Sequence, residues 1–72
     1  MADSVYKVIE LVGTSDVYWE EAVKSAVETA SKSLKNLRVA EVNKLDVKIE
    51  NGKVVAYRAR VSLSFKFKTD NA

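Results

Sequence analysis

The chain contains no cysteine and no histidine. Disulfides and thiolate metal sites are therefore excluded. So are the commonest zinc ligand and the commonest general base. A nucleophilic triad built on either residue cannot form, which leaves only Ser–Lys or Thr variants. The two glycines, Gly13 and Gly52, lie far apart, so there is no glycine-rich phosphate loop. No EF-hand spacing of acidic residues appears. No apolar run approaches the ~20 residues a membrane span needs, and the first residues form no secretory apolar segment. The expected location is the cytoplasm, with no membrane partner. Charge of one sign is also scarce: 12 basic residues face 10 acidic ones, for a net +2. A nucleic-acid binder would show a clustered basic stripe with aromatics on its polar face, so no nucleic-acid partner is expected.

What is present fits one small domain over residues 1–72, with 1–4 and 69–72 as frayed ends. A single core at this length leaves only about 3–5 kcal/mol of net stability. Small proteins supplement that with disulfides, metals or partners. With disulfides excluded, self-association is the remaining route, and an oxygen-ligated metal is a possible supplement.

Val5 to Val12 is rich in β-branched residues and predicts a strand. Val5, Ile9 and Leu11 fall on one face, and Tyr6, Val8 and Val12 on the other, a pattern expected of burial on both faces. Gly13 permits a bend at the strand's end. Thr14, Ser15 or Asp16 then serves as N-cap of a helix reaching about Asn36. In it Trp19, Ala22, Val23, Ala26, Val27, Ala30 and Leu34 recur at spacings of three and four, forming one apolar stripe. Its alanines suit close approach to a sheet. Lys32 and Lys35 are placed late, as the helix dipole prefers.

Leu37 to Glu50 predicts a second strand. Asn51-Gly52 suits a type I′ turn, because both central residues need positive φ. The third strand alternates: Val55, Tyr57, Ala59, Val61, Leu63, Phe65 and Phe67 on one face, Arg58, Arg60, Ser62, Ser64, Lys66 and Lys68 on the other. The second strand changes parity between Val42 and Leu45. Two readings fit. A β-bulge near Asn43-Lys44 re-aims the later side chains. Alternatively the ladder is regular, pairing Val47 with Ala56 and Val42 with Val61. Leu45, Val47, Ile49, Val54 and Ala56 then form an apolar patch on the face the helix leaves bare. Such a patch marks an interface, here with further copies of the chain.

The strand-helix-strand crossover leaves its two strands parallel, and the hairpin reverses the third. An all-antiparallel sheet therefore needs the order 1-3-2. The fold class is α+β, a β-α-β-β unit with one helix on a three-stranded sheet. Glu20 and Glu21 read as a solvated helix start. Trp19, the only tryptophan, falls on the apolar stripe and reads as a core or interface residue. Arg58 and Arg60 read as a solvated or cavity-lining face, or as partners of Glu10, Glu41 or Asp46; binding of a phosphate or carboxylate is the alternative.

Tyr6-Lys7-Val8-Ile9-Glu10-Leu11-Val12-Gly13-Thr14-Ser15, the alanine-rich helix, Leu37 to Val42, and Tyr57 to Phe67 together resemble the dodecins. The resemblance covers nearly the whole chain. It implies a non-enzymatic β-α-β-β subunit that assembles with itself into a hollow homododecamer and sequesters a small ligand, in many members a flavin. Flavin-binding members carry a stacking tryptophan and a hydrogen-bonding glutamine at positions held here by Val39 and Arg58. The chain is more similar to a calcium-binding subgroup, through Tyr18-Trp19-Glu20, Arg38-Val39-Ala40, Tyr57-Arg58 and Ser64-Phe65-Lys66. The resemblance therefore implies calcium ahead of flavin, with Glu20 and Asp46 as metal ligands by position. A flavin store with a rebuilt pocket, or a structural oligomer with no native ligand, is the alternative.

Overall fold

The structure is a computed structural model and describes residues 5–66. The expected frayed ends, 1–4 and 69–72, lie outside that range, as do Phe67 and Lys68. Strand β1 (Tyr6–Ser15) leads to helix α1 (Trp19–Ser31), followed by β2 (Leu37–Glu50) and β3 (Lys53–Lys66). The sheet is antiparallel throughout, in the order β1-β3-β2. The most β-prone segment is thus central, as the topology requires. Asn51 and Gly52 have φ of 52° and 76°, so the Asn-Gly turn forms as its chemistry dictates.

The core is small. Ala22, Ala26 and Ala30 of α1 are buried against Ala59, Val61 and Leu63 of β3, with Ile9, Leu11, Val23, Val27, Leu34 and Leu37 packed around them. Gly13 differs from its expected role. It lies inside β1, not in a bend, and α1 passes directly over it. The strand continues to Ser15, which is not the N-cap. Tyr18 takes that position without a side-chain cap. Ser15 instead accepts a hydrogen bond from the Val17 N–H at 3.0 Å. The helix also ends earlier than expected, at Ser31, so Lys32 and Lys35 lie beyond its last turn. Asn36 adopts φ 65° and redirects the chain into β2, a conformation asparagine tolerates better than most residues.

The bulge reading of β2 is the correct one, and two further irregularities accompany it, one beside the hairpin and one between Leu37 and Val39. Register shifts occur between Lys48 and Ile49 and between Val42 and Lys44. The first leaves Val55 of β3 unpaired and the second leaves Asn43 of β2 unpaired. They cancel, so Glu50 pairs with Lys53 and Val42 with Val61, while Val47 pairs with Tyr57 rather than Ala56. Paired residues share a face. Leu45, Val47, Ile49 and Val54 therefore lie on the helix side of the sheet, and only Ala56 faces away. The patch expected on the bare face does not form there. Helix α1 covers β1 and β3 but barely reaches β2, so the apolar groups are exposed for a different reason. Val42, Leu45, Ile49 and Val54 are 45–62% exposed beside the helix, not behind it.

The other face of β1 is also bare. Tyr6, Val8 and Val12 are 49–59% exposed, where burial on both faces was expected. The radius of gyration is 15.1 Å, against about 11 Å for a compact domain of this length. One copy of the chain thus leaves much of its apolar surface in water.

Candidate functional site

The face of the sheet turned away from α1 carries most of the polar chemistry. Cross-strand pairing arranges it in rows: Thr14–Arg58–Asp46, Val12–Arg60–Lys44, then Glu10–Ser62–Glu41. Arg58 donates from Nε to Asp46 Oδ1 at 2.7 Å and from Nη2 to Oδ2 at 2.9 Å. This is the bidentate geometry that suits guanidinium and carboxylate. The pair exists because of the bulges. A regular ladder would have set Asp46 opposite Tyr57, with its side chain on the other face. The Arg58 hydrogen bonds hold the Asp46 carboxyl below the ordinary 3.8, and the same contact raises Arg58.

Asn43, unpaired in the ladder, spans the sheet with its side chain. Its Nδ2 donates to Ser62 Oγ at 2.7 Å on β3 and to Glu10 Oε2 at 3.2 Å on β1. The other Glu10 oxygen lies 3.9 Å from Arg60 Nη1. The arginines thus meet two of their expected partners, Asp46 and Glu10.

On the helix side an aromatic cluster marks the start of α1. Trp19 meets Tyr57 edge-on at 5.1 Å between centroids, and Tyr18 lies 5.6 Å from Trp19 and 5.9 Å from Tyr57. Such pairs add about 0.5–1.5 kcal/mol beyond their area. The Trp19 indole N–H donates to the Asp46 backbone oxygen at 3.0 Å. Asp46 therefore ties α1 to the sheet through its backbone and binds Arg58 through its side chain. This link between Trp19 and Asp46 was missed from the sequence. The aromatic residues were visible there, but the register that joins them was not.

Of the four residues singled out from the sequence, Arg58 and Asp46 meet in one chain, while Val39 and Glu20 stand apart from them. Val39 is 59% exposed and pairs with Ser64. Arg58 lies six residues from Ser64 on the same strand, which places Val39 and Arg58 about 20 Å apart. Glu20 stands in the first turn of α1, on the other side of the sheet from the Asp46 carboxylate. Among the described residues no group of three or more acidic side chains is arranged to hold a metal. One chain therefore does not fit a calcium ion by itself. Nor does it supply an aromatic platform at Val39 for a flavin ring. A groove of about 410 Å³ runs between β1 and α1, lined by Ile9, Leu11, Ala26 and Leu34 with hydroxyls at its rim and no charged group. Its chemistry is apolar and does not suit an ion. No helix among the described residues is long and apolar enough to cross a membrane.

Comparison with known proteins agrees with this architecture. The Dodecin family model matches residues 5–68. The calcium dodecin of Mycobacterium tuberculosis is 40% identical over 65 residues, covering 90% of this chain and 92% of that protein. A crystal structure of that protein, described as having a novel calcium-binding site, superposes with a TM-score of 0.80 at 41% identity, covering 93% of this chain and 96% of the other. The dodecin of Streptomyces coelicolor superposes with a TM-score of 0.90 at 34% identity, covering 97% of this chain and 100% of that one.

Proposed function

The chain belongs to the dodecin family, and from that premise we propose that it forms a non-enzymatic homododecameric shell that sequesters a small ligand or ion, calcium ahead of flavin. The observation that carries this reading is the separation of the site residues. Val39 and Arg58 lie about 20 Å apart on one sheet face. They line a common pocket only when different copies bring them together. The bare apolar residues of β1 and β2 supply surface for such contacts.

Calcium ranks first for two reasons. Flavin loses its stacking partner at Val39, worth about 1–3 kcal/mol per ring by analogy with base stacking. Arg58 offers no acceptor, and its fork is already engaged by Asp46. Calcium requires six to eight oxygens. A symmetric assembly multiplies each carboxylate at an axis, so Glu20 repeated around a three-fold axis becomes three carboxylates. Glu20 makes no ion pair among the described residues, which leaves it available. Asp46 is the second ligand, and a cation there must displace Arg58.

Calcium titration by calorimetry tests this on the assembled protein, with Glu20→Gln and Asp46→Asn beside the wild type. Saturable heat that disappears in Glu20→Gln supports the reading. No heat in the wild type refutes it. Riboflavin fluorescence quenched at micromolar protein would move flavin to first place.

A further inference from the structure

Lys44 of β2 and Arg60 of β3 are direct cross-strand partners on the face turned away from α1. Like charges opposite each other in an antiparallel pair repel. Among the described residues the ion pairs are Lys48–Glu50, Arg58–Asp46 and Arg60–Glu10, which leaves Lys44 without one. The Arg60–Glu10 contact, at 3.9 Å, is too long for a hydrogen bond, and Glu10 accepts from Asn43 instead. The two arginines of β3 therefore differ. Arg58 spends its fork on Asp46, while Arg60 makes no side-chain hydrogen bond among the described residues and has only the 3.9 Å contact with Glu10, beside a second cation. On its other side Arg60 pairs with Val12, which is half exposed. A guanidinium fork, an adjacent ammonium and an apolar shoulder lie in one row across three strands.

We propose that Lys44 and Arg60 form an anion site for the phosphate of a small phosphate ester, with the organic body against Val12. A planar fork suits paired phosphate oxygens, and lysine adds a mobile point charge. A dianion neutralises both cations and removes their mutual repulsion. None of Glu20, Asp46, Val39 and Arg58 contributes a contact to this site, although the Arg58–Asp46 pair lies in the neighbouring row.

Phenyl phosphate is the probe, titrated by calorimetry into the assembled protein at low salt. Saturable binding is expected. It should weaken in Arg60→Gln and in Lys44→Gln by about tenfold or more, the worth of a charge-assisted hydrogen bond. Lys53→Gln, at the hairpin turn, should bind as the wild type does. Inorganic phosphate binding as tightly as the ester would support the site and assign it to free phosphate. Absence of saturable heat, equal loss in all three variants, or equal binding of uncharged phenol would overturn the proposal. Melting curves without phosphate separate binding from structure. Relief of the Lys44–Arg60 repulsion means that neither variant melts below the wild type. Lower melting temperatures would make the pair structural and overturn the site.

Discussion

Replacing Gly13 with alanine adds one carbon between β1 and α1. A Cβ there overlaps the carbonyl oxygen of Ala22 and approaches the Ala22 carbonyl carbon and the Ala26 Cβ to 3.0 Å each. The obstacle is helix backbone, which cannot rotate aside like a side chain. The helix or the strand must shift, and the buried alanines shift with it. Overpacking costs about 1–3 kcal/mol, and contact with backbone places Gly13→Ala near the upper end. The stiffer unfolded chain returns about 0.4–1 kcal/mol. A net loss of about 2 kcal/mol corresponds to a melting temperature lower by roughly 8–16 °C for a domain of this size. Thermal unfolding followed by circular dichroism measures it. Wild type and variant must be compared at equal concentration, because assembly couples to stability. A variant within about 2 °C of the wild type would show that α1 does not rest on Gly13, and the account of the helix–sheet contact would fail.

Other outcomes follow from the same geometry. Leu63→Ala removes a fully buried side chain from the C-terminal half of β3 and should cost about 2–5 kcal/mol in chemical denaturation. Trp19→Phe retains a ring but loses the hydrogen bond to the Asp46 backbone oxygen; the expected cost is about 0.5–1.5 kcal/mol. The Asp46 carboxyl titrates below 3.8 because Arg58 stabilises its charged form. Stability from this pair is therefore complete above the unfolded carboxyl range and is lost as pH falls through the folded value. A carbon-detected NMR titration should place the Asp46 midpoint below 3.8 and return it toward that value in Arg58→Gln. An unchanged midpoint in the variant would show that the bidentate pair does not form in solution.

Most of the fold was legible because local chemistry and topology agreed. Asn51-Gly52 allows few alternatives to a tight hairpin. The alternation along β3 and the alanine stripe of α1 identify the faces that meet, and the crossover then places β3 in the centre. The parity change after Val42 was also visible, but its meaning was not. One bulge and a regular ladder accounted for it equally well, and the compensating bulge at Val55 had no sequence signal of its own. Gly13 was misread for a related reason. Its glycine serves a close approach of the helix, and that requirement exists only in three dimensions. The candidate site was less legible. Arg58 was matched to three possible acids, and register selected Asp46. Only Arg58 and Asp46 meet in one chain, so a pocket that also includes Val39 or Glu20 depends on how copies meet. A single sequence does not encode that arrangement in any local pattern.

The central claim is that copies of this chain close into a shell, and solution mass tests it most directly. Twelve copies of an 8.0 kDa chain come to about 96 kDa. Light scattering behind size exclusion should find that mass, unchanged on dilution, because a closed symmetric assembly has no free interface to add or lose subunits. A monomer, a dimer, or a mass that drifts with concentration would contradict the shell and the ligand sites that depend on it.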